Sequence, residues 1–140
     1  MSFTEVRTYF RANLEALGFK EWTDAFNVDN IPSTLLDKSF HLSAPSGARR
    51  GSYDQAKQDA ETTVVIRIAR KGYKTPAKAI DQCLADVDAI IARVLEITRR
   101  TSTGIKNIYY GGHSINALDA TNDNVAVLEI SFTCFIILKV

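Results

Sequence analysis

The sequence predicts an α+β fold in which two helices pack on one face of a mainly antiparallel, four-stranded sheet, with a long loop between strands one and two. Three observations lead to this class. Two segments carry apolar residues at helical spacing, four segments resemble strands, and the segments follow the order α-β-loop-β-α-β-β. A chain of 140 residues is the size of one domain, so we expect a single domain over residues 1–140.

The first helix is predicted over about residues 3–17. Ser2 and Glu5 have the spacing of a capping box, in which each side chain pairs with an amide at the helix start. Gly18 follows as a C-cap, because glycine tolerates positive φ. One helical face collects the apolar residues Val6, Phe10, Leu14 and Leu17. We therefore expect this helix to cover the sheet.

The first two strands enclose a polar segment. They are predicted at about residues 36–42 and 62–69, and the second alternates clearly in polarity. Residues 43–61 between them contain few apolar side chains, and loops of that length are usually functional or disordered. Because strands flank this loop, we expect it to project from a hairpin as an adhesive arm that contacts other protein subunits.

The second helix is predicted to begin after Thr75, a good N-cap that proline follows, and to end near residues 100–102. Its apolar stripe consists of Ile80, Leu84, Val87, Ile91 and Val94. Asp81, Asp86 and Asp88 lie in its first half, where carboxylates complement the helix dipole. We expect these three residues to form a solvated face rather than a metal or acid–base site.

Two long strands complete the predicted sheet. The third is expected over residues 105–119, with a bulge or bend at Gly111-Gly112. The last alternates over residues 125–140, which would span on the order of 50 Å if fully extended. A small domain has little to pair with so long a strand, so we expect either a bend or an end that reaches a neighbouring chain.

Composition argues against several classes of protein. The formal net charge of +1 provides no overall basic field for capturing nucleic acid. No apolar run reaches the roughly 18 residues of a membrane span, and charged residues interrupt the N-terminus where a signal peptide would be apolar. Cys83 and Cys134 are far apart in the sequence. We expect them to be buried thiols in a reducing cytoplasm.

The sequence contains no recognisable catalytic or metal-binding motif. His41, His113 and the two cysteines lack the short spacing of zinc ligands. There is no G-x-S-x-G elbow, and no G-K-[ST] follows Gly111-Gly112. We therefore expect no cofactor, no metal and no enzymatic activity, although the sequence alone leaves a Cys-His or Ser-His-Asp nucleophile open.

Several segments carry a family resemblance. They are Leu17-Gly18-Phe19 with Trp22, Asn30-Ile31-Pro32-Ser33 with Leu36-Asp37-Lys38-Ser39-Phe40-His41, and the strand Val64 to Ile68 with Lys71-Gly72-Tyr73. With these residues, the polar loop and the order of the two helices, the chain resembles the tail terminator (tail completion) proteins of long-tailed bacteriophages. The match in layout covers essentially the whole chain.

The resemblance implies a structural protein of the virion, located at the neck end of the tail. Such a protein forms a ring, usually of six subunits, on the last ring of the tail tube. The ring stops tube polymerisation and joins the tail to the head connector, while DNA passes through the lumen without being read. The implied partners are further copies of the chain, the tube protein and the connector. The family implies no catalytic residue.

Three groups of residues are candidate protein interfaces. In the family this loop is thought to face the tube, so the resemblance implies that Arg49, Arg50, Tyr53 and Lys57 face the tube here. The second strand and its exit contribute Arg67, Arg70 and Lys71, and the last strand contributes Phe135, Ile137 and Lys139. The basic residues are dispersed and balanced by 16 acids, so acidic protein surfaces explain them as well as a polyanion does.

Two other readings stay open at this point. One is another neck, head–tail connector or minor tail protein, which has similar size. The other is a small α+β enzyme or ligand-binding domain. The oligomeric state and the position in the particle would distinguish them.

Overall fold

The computed structural model describes residues 2–22, 31, 33–50, 58–96, 104–120 and 123–138. Within these ranges lie three helices, α1 (Phe3–Ala16), α2 (Ser33–Leu36) and α3 (Pro76–Val94). They also contain six strands: β1 (Lys20–Glu21), β2 (Ser39–Leu42), β3 (Ser46–Arg50), β4 (Gln58–Tyr73), β5 (Ile105–Ala120) and β6 (Asp123–Leu138). None of the described helices combines the length and the apolar character that a membrane crossing requires.

The strands form one mixed sheet in the order β1-β2-β4-β6-β5, and β3 pairs with β4 beside β2. Only the β1–β2 pair is parallel. Ser43 joins β2 to β3 along β4, because its N–H donates to the Val65 carbonyl (3.0 Å) and its Oγ accepts from the Val65 N–H (3.0 Å). β2 and β3 therefore act as one interrupted strand on the same side of β4.

The predicted α+β class is confirmed, but the predicted four strands are wrong. β1 adds a short parallel strand, and part of the predicted polar loop, residues 46–50, pairs with residues 59–63 of β4. Main-chain hydrogen bonds need no apolar side chains, so a polar segment can extend a sheet without an apolar signal. Residues 51–57, the remainder of the arm, lie outside the described residues.

The last strand finds its partners within the chain. β4, β5 and β6 are each 16 residues long, and β6 pairs with β4 on one side and with β5 on the other along most of its length. The premise that so long a strand has little to pair with inside the chain is therefore wrong. It underestimated β4, whose N-terminal part was assigned to the loop.

The main core lies between the sheet and the helices α1 and α3. Phe10 of α1 is fully buried, and its ring centroid lies 5.6 Å from those of Tyr9 and Phe132. The strands contribute the buried side chains Val64, Ile66, Ile68, Leu128, Ile130 and Phe132. Tyr9 Oη also donates to the Val94 carbonyl (2.7 Å), which ties α1 to the end of α3.

The helix starts agree with their sequence signals. The Ser2–Glu5 capping box is present, and Gly18 has φ 93° just after the C-cap. Thr75 caps α3, which begins at Pro76. α3 ends at Val94 instead of near residues 100–102, since Leu95 is its C-cap.

The buried face of α3 is rotated relative to the predicted stripe. It consists of Ala79, Cys83, Asp86, Val87, Ile90 and Val94. Leu84, which was predicted in the stripe, is 43% exposed. The rotated face includes Asp86, which pairs with a buried arginine of the sheet.

Candidate interaction surface

The sheet has a second face, opposite α1 and α3, which we call the outer face. Its described side chains come from the alternate positions of the three long strands. They include Glu61, Thr63, Val65, Arg67, Asn107, Tyr109, Glu129, Ser131, Thr133, Phe135 and Ile137. None of them is buried, in contrast to the inner face.

A second small core covers one end of the outer face. Ala69 of β4 and Val125 of β6 are buried there against Ile31 and Leu36, with Trp22 packed beside them. These residues come from β1, α2 and their surroundings. The opposite end of the outer face has no described element over it.

Three apolar side chains, Tyr109, Phe135 and Ile137, lie at that open end, and we call them the aromatic patch. Tyr109 is 52% exposed and Ile137 is 37% exposed. The Tyr109 and Phe135 rings meet edge to face, with centroids 5.4 Å apart. Aromatic side chains are enriched in protein interfaces, so the patch suits a protein partner. Phe135 and Ile137 were predicted interface residues, whereas Lys139 lies outside the described residues.

The basic residues of β4 have separate roles. Arg67 is on the outer face and pairs with Glu129 of β6 at 3.1 Å, with both side chains about half exposed (48% and 47%). Lys71 lies at the exit of the strand, where its backbone N–H donates to Asp37 Oδ1 (3.0 Å). Neither position forms a dense basic patch with the other.

Arg70 was predicted as an interface residue, and this prediction is wrong. Its guanidinium is buried and forms two hydrogen bonds of 2.7 Å with Asp86 of α3. It also lies 5.3 Å from the Phe19 ring centroid and 3.8 Å from Asp37. Gln82 Nε2 donates to the same Asp86 carboxylate (3.2 Å). Asp86 is therefore a core partner, and its assignment to a solvated face is also wrong.

The electrostatics of this buried pair favour the charged state of Arg70. Burial alone lowers the pKa of Arg70, but the hydrogen bonds and charge of Asp86 outweigh that effect and raise it overall. The sequence did contain a signal for burial. Arg70 has the same strand parity as Val64, Ile66 and Ile68, so its side chain leaves the sheet on the inner face.

The predicted loop arm is only partly described. β3 places the backbones of Arg49 and Arg50 opposite Ala60 and Asp59 of β4. Tyr53 and Lys57 lie outside the described residues. The interface role of Arg49, Arg50, Tyr53 and Lys57 stays a prediction.

The base of the arm is held by α1. Gly47 of β3 lies under the Phe3 ring, and a Cβ built at Gly47 would approach Phe3 Cζ to 2.5 Å. Only glycine leaves room for this contact between the start of α1 and the hairpin.

Sequence reasoning missed the edge formed by β5. Among the described residues, β5 pairs with β6 on one side and has no strand on the other. The predicted bulge is confirmed between Tyr110 and Gly112, where Gly112 has φ 125°. The signal was the pair Tyr109-Tyr110, two neighbouring aromatics that point to opposite faces of β5 and are both exposed.

Reactive side chains are few in the described part of the chain. There, no group of three or more His, Cys, Asp or Glu side chains is arranged to hold a metal ion. Cys83 and Cys134 are free and buried, and burial raises the thiol pKa values to about 11 and about 12. Tyr110 Oη contacts His113 Nδ1 as an exposed pair on β5.

No known sequence family matches the chain, and no curated protein matches it. Among solved structures, it is similar to a chain of the virion of the native gene transfer agent (GTA) particle. The TM-score is 0.51 and the sequence identity is 14%. The similarity covers 95% of this chain and 92% of the other. At this identity the likeness shows a shared fold over nearly the whole of both chains.

Proposed function

We propose that this chain is a structural protein of a phage-like virion and acts there as a tail terminator. In this role it forms a ring, usually of six subunits, that caps the tail tube, stops its polymerisation and joins the tail to the head connector. One observation carries the proposal: the fold is shared along nearly its full length with a chain of a gene transfer agent virion. The tail terminator resemblance of the sequence supports the more specific role.

The surface chemistry is consistent with a role in protein assembly. The aromatic patch places Tyr109, Phe135 and Ile137, all at least partly exposed, on the outer face of the sheet, where a partner surface can contact them. Arg67 and Glu129 next to it offer a balanced polar rim. We propose no catalytic residue and no cofactor, and we propose that DNA passes through the ring without specific contacts.

A second candidate is another neck or head–tail connector protein. The gene transfer agent match favours a virion component without specifying its position in the particle. Position therefore separates the two candidates. A tail terminator lies on the end of the tube, whereas a connector lies against the portal side.

The test is to add the purified chain to growing tail tubes of its own particle. We expect the chain to bind one tube end as a ring and the tubes to stop at uniform length, as seen by electron microscopy. Native mass spectrometry of the free chain gives the subunit number. A stable monomer that ignores tubes and copurifies with a small ligand would instead support an enzyme or ligand-binding domain.

The arm is tested by replacing residues 51–58 with an Asn-Gly turn, which joins the paired residues Arg50 and Asp59 and keeps the β3–β4 hairpin. We expect this variant to fold, because it keeps all the described helices and strands that form the core, and to lose tube capping. Normal capping by the shortened variant would show that the arm is not the working surface.

A further inference from the structure

Within the described residues, two strands, β5 and β3, each have one edge without a neighbouring strand. β5 has no described neighbour beyond it, and β3 has none beyond its side opposite β4. An unpaired edge exposes a row of backbone N–H and C=O groups, which an extended strand satisfies by pairing. The chemistry of each edge therefore selects a β-strand as its partner.

The two edges lie at the same level along the strand direction. Ser46 of β3 pairs with Thr63, Thr63 with Thr133 of β6, and Thr133 with Tyr109 of β5. The next row runs in the same way from Ala48 through Glu61 and Phe135 to Asn107. β3 therefore lies directly across the sheet from the part of β5 that precedes its bulge.

We infer that the β5 edge of one copy pairs with the β3 edge of the next copy, so that the sheet continues from subunit to subunit. This inference rests on the proposed function, because a ring requires two different patches that meet through a rotation. Because the two edges lie at the same level, neighbouring copies can be related by a rotation about an axis parallel to the strands, with no translation along that axis. Such an assembly closes as a ring, whereas a shift would produce an open helix.

The strand directions and lengths fit this pairing. Each of the pairs β3–β4, β4–β6 and β6–β5 is antiparallel, so β3 and β5 run in opposite directions and the new pair is antiparallel. β3 has five residues and faces residues 105–110 of β5, which precede the bulge at Gly112 and include a further register shift between Ile105 and Asn107. Pro45 lies just before β3 and limits the pairing there, because proline lacks an N–H.

Side chains on both faces of β5 support an added strand. Tyr109 on the outer face and Tyr110 on the inner face flank the free edge, and both are exposed in the single chain. A neighbouring β3 would cover part of each ring. A strand pair of this length buries far less than the about 1,200 Å² of a stable interface, so we expect weak pairing in solution that the tube strengthens.

The test uses disulfide formation between Ser46→Cys and Tyr109→Cys. Both positions are exposed on the outer face, and the inferred register places them directly opposite each other in neighbouring copies. Cross-strand pairs of this kind have Cβ atoms about 4.5–5.5 Å apart, within reach of a disulfide after a small adjustment. Cys83 and Cys134 are fully buried and do not interfere.

Under mild oxidation at high protein concentration, the double variant should form a ladder of covalent multimers up to the ring. A mixture of the two single variants should stop at covalent dimers, because each copy then carries one reactive edge. The matched control pairs Ser46→Cys with Asn116→Cys, which is exposed on the same face but lies about 20 Å further along β5. The control should form no ladder.

The outcomes separate this inference from the proposed function. Multimers without cross-links, or dimers of the Tyr109→Cys variant alone, would overturn the β5–β3 pairing even if the chain caps tubes. A covalent ring that fails to bind tubes would overturn the tail terminator role while the pairing stands. A chain that stays monomeric at all concentrations and is absent from virions would overturn both.

Discussion

The two faces of the sheet differ in how completely the chain covers them. The inner face is closed by α1 and α3, and even its charged residue, Arg70, is paired with Asp86 in the core. The outer face is covered at one end by a small second core and carries an exposed aromatic patch at the other. Since the same three strands supply both faces, we propose that the inner face serves stability and the outer face serves binding.

The largest expected difference between the two faces concerns two phenylalanines of β6. Phe132→Ala removes a fully buried ring from the inner face and should reduce the free energy of unfolding by about 3–5 kcal/mol. Phe135→Ala, three residues along on the outer face, should cost at most about 1 kcal/mol, because the ring is partly exposed. Urea unfolding measures both values. Equal losses would contradict the division of roles between the faces.

Two arginines of β4 provide the next test. Arg70→Met leaves the Asp86 carboxylate buried without its partner and should cost about 3–5 kcal/mol. Arg67→Met breaks the solvent-exposed pair with Glu129 and should change stability by less than about 1 kcal/mol.

The double variant Arg70→Met with Asp86→Leu serves as the control for the buried pair. It removes both charges and should recover most of the stability lost by Arg70→Met alone. If the double variant is as unstable as the single one, the loss comes from packing around Phe19 and not from the unpaired charge.

A third test concerns pH and the inner face. Burial raises the pKa of Cys134 from 9.0 to about 12, so the folded chain holds this proton to higher pH than the unfolded chain does. Stability should therefore fall as pH rises from 9 towards 12, by about 3–4 kcal/mol for this thiol. Unfolding of the Cys134→Val variant over the same range should show a smaller fall.

The smallest expected effect lies where α1 meets the hairpin. Gly47→Ala should cost about 1–2 kcal/mol, because the new methyl group displaces the Phe3 ring. In a Phe3→Ala background the same change should cost almost nothing. Additive losses in the double-mutant cycle would show that the two residues do not interact.

Local signals predicted much of the fold. The Ser2 cap, the Thr75-Pro76 start and the bulge next to Gly112 each depend on a few neighbouring residues, so the sequence contains them directly. The predicted apolar stripe of α3 was wrong at Leu84, which is exposed, because the buried face of α3 instead includes Asp86. The partner of Asp86 is Arg70, which is distant in sequence, so local spacing did not indicate this pair.

Long-range pairing limited the prediction of the candidate surface. Phe135 and Ile137 lie on the outer face, as strand alternation predicts, and their interface role stays a prediction. The β3 strand and the β5 edge were missed, since backbone pairing leaves no pattern in a polar segment such as residues 46–50.

The central claim is that the open end of the outer face and the two strand edges form the contacts of this chain in a virion. Cryo-electron microscopy of the native particle tests it most directly. The account predicts a ring of this chain at the neck end of the tail tube, with β5 beside β3 of the next subunit and a partner over Tyr109 and Phe135. A chain that is absent from the particle, or one that contacts its neighbours only through α1 and α3 with the outer face in solvent, would contradict it.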